Sequence, residues 1–200
     1  LSANHASDFY ILKNQLESAI WSYESLKSGE WDPSAYNVAG VFGVILNTDY
    51  KPLNERLATI IKRMENIPAY YAAAQNNLIS PTLPHTRLAI SQNQGALGLF
   101  TGVIKDKVAA STLSAADKHT FDLRLKATER AIGGYIEALE NRLTSLEKDG
   151  SAKDFRIGKT LYDKKFQLDI FSGYTAEELY NKALSEKDRV HGEMIKLADQ

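Results

Sequence analysis

Four histidines, His5, His85, His119 and His191, are the side chains best suited to metal binding or proton transfer near neutral pH. None has company at the spacing such chemistry needs. A helical zinc site takes two His four apart on one face, with a Glu between them. His191-Gly192-Glu193 instead sets its His and Glu about 200° apart around a helix. His119 and Asp122 can touch at i, i+3, as ordinary surface pairs do. His85 follows Pro84 at a helix start, where a loop or capping role suits it. The acidic pairs Glu137 with Glu140 and Glu177 with Glu178 lie on charge-rich helices, and a solvated face accounts for them. There is no Cys, no Gly-x-Ser-x-Gly elbow and no Gly-rich phosphate loop with Lys. The residues therefore point to no catalytic, metal-binding or cofactor-binding set within this chain.

Two segments have the chemistry to hold a ligand. Ser91-Gln92-Asn93-Gln94 is a polar, uncharged run inside an otherwise apolar helix. The amides of Gln92 and Asn93 each carry donor and acceptor, so they could grip peptide backbone from a cleft wall. The alternative is a solvent-facing turn of helix. Phe155-Arg156-Ile157-Gly158 places an Arg between apolar residues just before a helix, where Arg156 could hold a substrate carboxylate bidentately. The alternative there is a salt bridge to a neighbouring acidic helix.

The elements that must position these residues are helical throughout. Phe9, Leu12, Leu16, Ile20, Tyr23 and Leu26 step by three or four, giving one face of a first helix that Gly29 stops. Asp32 reads as an N-cap with Pro33 at the first helical position. Ala35 to Leu46 is almost wholly apolar or Gly, which predicts a central helix buried on every side. Pro52 opens a helix with the stripe Leu53, Leu57, Ile60, Ile61, Met64 and Ile67, and Pro68 should kink or restart it. Ser80 to Pro84 is a loop. A helix from about His85 to Asp106 carries Gly95, Gly98 and Gly102 near one face, which predicts close approach of another backbone. Leu113 to Glu147 is the longest periodic stretch, with the stripe Phe121, Leu125, Thr128, Ile132, Tyr135, Leu139, Leu143 and Leu146. A helix follows over about Lys159 to Ile170. Thr175 and Glu178 then form a capping box that opens the final helix. The expected fold is all-α, a bundle of six to eight long amphipathic helices, taken as a single domain over residues 1–200.

The chain has 200 residues, enough to bury a core without disulfides. Lys plus Arg total 24 and Asp plus Glu 25, a net charge of −1 that argues against nucleic acid or an anionic membrane as the main partner. No apolar run approaches the roughly 20 residues that span a bilayer. Charge is unevenly spread: residues 1–100 hold 15 charged side chains and residues 101–200 hold 34. An uncharged surface of that breadth is normally covered, by the second half, by a further part of the protein, or by a second copy.

Several stretches resemble the bacterial family catalogued as domain of unknown function 885. They are Trp31-Asp32-Pro33-x-x-Tyr36, Asn54-Glu55-Arg56-Leu57, Ile67-Pro68-Ala69-Tyr70 with Asn77-Leu78, and Asp154-Phe155-Arg156-Ile157-Gly158-Lys159 with Leu161-Tyr162. The likeness runs from about Trp31 to the C-terminus. Members of that family are long, largely helical proteins, many exported to the periplasm or lipid-anchored. Their C-terminal portion carries a His-Glu motif with a further His, resembling the zinc site of helical metallopeptidases. This chain has no such motif. The resemblance thus implies a non-catalytic N-terminal part, and zinc, as the family's cofactor, would belong to a C-terminal part outside these residues. That missing part would be the main partner and a peptide the substrate, with this chain walling one side of the cleft. A self-contained helical binding or scaffold module, with no enzymatic activity, is the alternative.

Overall fold

The computed structural model describes residues 3–170 and 172–199, and side chains from His5 onward. It is 81% helical with no strand among the described residues, so the all-α expectation holds. The helices are α1 (Ala3–Trp21), α2 (Ala39–Asn47), α3 (Leu53–Met64), α4 (Ile67–Asn77), α5 (Leu83–Gly98), α6 (Lys105–Ala110), α7 (Ala115–Asp149), α8 (Lys159–Ile170) and α9 (Ala176–Ala198). A π-helical segment, Leu99–Ile104, joins α5 and α6 into one rod, which brings the described total to eight. The chain divides into two compact units: residues 28–155, and residues 1–27 with 156–200.

In the unit of residues 28–155, α7 is the spine. At 35 residues it is about 52 Å long. The Ser114 hydroxyl accepts from the Asp117 amide at 3.1 Å to start it, and Gly150, at φ +61°, ends it. Its three-and-four stripe is buried from Phe121 to Leu139 and again at Leu146, while Leu143 is only half-buried. Against that stripe pack α3, α4 and α5, which contribute Leu57, Ile60, Met64, Tyr71, Ala74, Ala89 and Ala96. Arg124 ties α7 to the end of α3 through Ile61 O at 2.7 Å and Glu65 at 2.6 Å. Arg142 donates to Ile79 O at 2.6 Å, just past α4. Pro68 restarts rather than kinks: α3 stops at Met64, and α4 begins with Pro68 in its first turn, where a missing N–H costs nothing.

Two expectations for this unit need correction. The central helix starts at Ala39, not Ala35, and is not buried on every side. Asp32 caps only a 3-10 turn, Pro33–Ala35, its carboxylate accepting from the Ser34 amide at 2.9 Å. Phe42, Ile45 and Leu46 then face the core, while Val41 and Val44 lie exposed. A uniformly apolar run has no periodicity to say which side is covered. The glycines fail for a related reason. A Cβ on Gly95, Gly98 or Gly102 would meet nothing within 4 Å, so no backbone approaches there. The rod widens over Leu99–Ile104 into the π segment, where Phe100 and Ile104 are buried.

The second unit holds α1, α8 and α9. Asn14 of α1 donates to Leu168 O of α8 at 2.9 Å, and Leu168 is the one side chain there counted as buried among the described residues. The expected apolar stripe forms, running from α1 into a π-helical turn at Ser22–Leu26, yet Phe9, Leu12, Leu16, Ile20 and Tyr23 are all exposed. The capping box of α9 is complete, with Thr175 and Glu178 exchanging backbone bonds at 2.8 and 3.2 Å.

Candidate functional site

Asn93 and Gln92 part company on α5. Gln92 is exposed, whereas Asn93 is 0% exposed. Every side of the Asn93 amide is taken: its Oδ1 accepts from the Tyr71 hydroxyl at 2.6 Å, and its Nδ2 donates to Ala89 O at 2.9 Å and Tyr36 O at 3.3 Å. A side chain so held is engaged within its own core. Arg156 is exposed and belongs to the other unit, ahead of Gly158 at φ +80°. Gln92 and Arg156 therefore each stand on a surface, and Asn93 in a core.

What Asn93 anchors is a cluster of aromatic hydroxyls. Tyr71 also accepts from the Val38 amide at 3.5 Å, and its ring lies 5.0 Å from that of Tyr135 and 5.4 Å from that of Tyr70. The Tyr135 hydroxyl donates to Pro33 O at 3.1 Å, and the Tyr36 hydroxyl to Gly29 O at 2.9 Å. Burial pushes the Tyr71 phenol up to about 12, opposed by the Val38 N–H that would stabilise its anion. Tyr135 is pushed well above the usual tyrosine range, again by burial first and then by its tyrosine neighbours. Both stay protonated at any physiological pH and serve as hydrogen-bond donors. Their work is positional: they clamp residues 33–38, the 3-10 turn and the stretch leading into α2, onto α4, α5 and α7.

That clamp shapes a recess of about 220 Å³. One wall is Asn37, Val38, Val41 and Phe42, where the clamped segment enters α2. The other is Arg63, Asn66, Ile67 and Tyr70, where α3 gives way to α4. Val38, Phe42 and Ile67 are buried and make an apolar floor, while Arg63, Asn66 and Tyr70 reach solvent at the rim. The Asn37 carboxamide accepts from the Ala39 amide at 2.7 Å, which fixes that wall at the start of α2. Sequence reasoning missed Arg63, Asn66 and Tyr70 as a set. The available signal was the break at Ile67-Pro68, which forces a helix restart and so opens a notch beside the last turn of α3.

Among the described residues no three His, Asp or Glu side chains come together to hold a metal, and no helix is long and apolar enough to cross a membrane. The recess offers a cation, amides and a hydroxyl around an apolar floor, with no nucleophile paired to a base. That lining suits the binding of a small group with one apolar and one polar side.

Comparison with known proteins agrees with the helical reading. A family profile described as bacterial protein of unknown function (DUF885) matches residues 1–200. A solved structure from Shewanella oneidensis, of a protein of unknown function described provisionally as a lipoprotein, superposes with a TM-score of 0.91 at 47% identity. The match covers 100% of this chain and 36% of that one, so this chain spans little more than a third of its length. No curated protein matches the chain.

Proposed function

The chain belongs to the bacterial DUF885 family, and from that premise we propose that it is the helical, non-catalytic N-terminal region of an exported, metallopeptidase-like protein, walling one side of a peptide cleft. The observation that carries this reading is α9. It runs 23 residues with no buried side chain. Leu179, Val190, Met194 and Leu197 lie within about 60° of one another around the helix and are all exposed, while Arg189 holds Glu186 and Glu193 along one flank of that stripe. A helix with that pattern gains its stability by burying the apolar side, so in the working protein something covers it. The greater length of the Shewanella relative supports a cover supplied by further chain. Its description as a lipoprotein supports an exported, lipid-anchored setting. Zinc and the reacting groups belong, on this reading, to that further chain and to none of the residues described here.

The coding region around this segment tests the reading. A frame that runs on past Gln200 and encodes a His-Glu motif with a nearby His supports it. A stop codon there overturns it and moves the function to a self-contained helical binding or scaffold module. Zinc-dependent peptide hydrolysis by the purified 200-residue chain would overturn it equally.

A further inference from the structure

We propose that the recess between the start of α2 and the α3–α4 junction binds a carboxylate joined to a short apolar group, the chemistry shared by the C-terminal residue of a peptide and a free branched-chain acid. At about 220 Å³ it falls below the roughly 300–1,000 Å³ of ordinary small-molecule pockets, so it suits one residue-sized group. The buried floor of Val38, Phe42 and Ile67 takes the apolar part.

The carboxylate is called for by Arg63. Its guanidinium makes no hydrogen bond or ion pair with any described residue, and the acidic side chain next to it in sequence, Glu65, is already held by Arg124 at 2.6 Å. An unpaired guanidinium at the lip of an apolar socket presents a planar fork of donors matched to a carboxylate. The first turn of α4 opens on the same side without a side-chain cap, and its partial positive charge favours the same sign of ligand. The Asn66 side-chain carboxamide and the Tyr70 hydroxyl, likewise without hydrogen-bond partners among the described residues, can take up the peptide group that would precede the carboxylate.

Two other recesses lack one half of this pairing. The groove between α4 and α7 has Arg130 on its edge but is lined by Ala72, Ala131 and Gly134, with no deep apolar socket. The recess along α9 lies on its polar face, where Arg189 is already paired twice.

The inference concerns this chain alone and stands or falls apart from the cleft-wall reading. The test is a titration of the isotope-labelled chain, followed by backbone amide shifts, with N-acetyl-leucine, N-acetyl-leucinamide and 4-methylpentanoate. N-acetyl-leucine should shift Asn66, Ile67 and Tyr70 saturably, and its amide, which lacks the charge, should bind at least about tenfold more weakly. Arg63→Gln, at an exposed site with no partner to lose, should fold normally and show the same loss. N-acetyl-leucine binding more tightly than 4-methylpentanoate assigns the site to a peptide terminus, and equal binding assigns it to a free acid. Equal affinity for acid and amide, indifference to Arg63→Gln, or no saturable shift at these residues overturns the proposal.

Discussion

The Tyr71 hydroxyl donates to Asn93 Oδ1 at 2.6 Å across the α4–α5 interface, with both side chains all but sealed from water. This bond converts a polar residue in mid-helix into the keystone of the core, because Asn93 also reaches back to Tyr36 O on the segment leading into α2. Asn93→Leu should therefore destabilise the chain by about 2–3 kcal/mol. It leaves the Tyr71 hydroxyl and the Tyr36 carbonyl without their partner in a dry interior, where each unsatisfied group costs about 1–3 kcal/mol. Tyr71→Phe orphans Asn93 Oδ1 and the Val38 N–H, but the latter bond is long, at 3.5 Å, so this change should cost somewhat less. The double variant should fall short of the sum of the two, and urea unfolding of the three variants measures the difference.

The same cluster makes the fold sensitive to alkali. Tyr71 ionises at about 12 in the folded chain against about 10 when unfolded. Above pH 10 the unfolded state loses its proton first, so the unfolded state is favoured progressively. The stability contributed by the neutral phenol is intact below pH 10 and declines as the pH rises towards 12, by up to about 3 kcal/mol at the upper end. Thermal unfolding between pH 8 and pH 12 should show a falling midpoint, and Tyr71→Phe should flatten part of that fall. Tyr135, raised still further by burial, keeps the remainder sloping.

How much of this was legible in the sequence follows from what periodicity can carry. The stripe of α7 and the Thr175–Glu178 capping box were readable because the spacing of residues is itself the physical cause. An interruption at Pro68, as a kink or a restart, was readable because a missing N–H leaves few choices, and the structure shows which of the two occurs. Asn93 was visible as an anomaly, a polar residue in an apolar helix, but its partners lie 22 and 57 positions away, and spacing along one helix cannot supply them. Arg63 had no anomaly at all. A cation in the last turn of a helix is the ordinary complement to the helix dipole, and only the folded chain shows it beside an apolar notch, with no partner among the described residues.

The glycines of α5 give a direct check on that reasoning. Gly95 and Gly98 face open space, so Ala at either position should stabilise the helix by about 0.5–1 kcal/mol through reduced backbone entropy in the unfolded chain. Close packing of a second backbone would have made the same changes destabilising. Gly29 supplies the contrast. A Cβ there would lie 2.8 Å from the Tyr36 hydroxyl, which already donates to Gly29 O. Gly29→Ala should push that hydroxyl out of place and lower stability. Chemical denaturation of the three single variants separates the two cases by sign.

The cover over α9 can be probed with the chain's own methionines, of which there are two. Met64 is 0% exposed in the core beneath α7, and Met194 is 62% exposed on the apolar face of α9. Peroxide converts an accessible thioether to its sulfoxide and spares a buried one. In the isolated chain Met194 should oxidise readily while Met64 resists until the chain unfolds, an internal control read by mass spectrometry of the peptides. On the cleft-wall reading, in a longer form of the protein with further chain over that face, Met194 should become as resistant as Met64. Protection in the isolated chain that grows with its concentration would place a second copy on α9 instead. Equal oxidation of Met194 in the short and long forms would leave that face bare in both, and the cleft-wall reading would lose the observation that carries it.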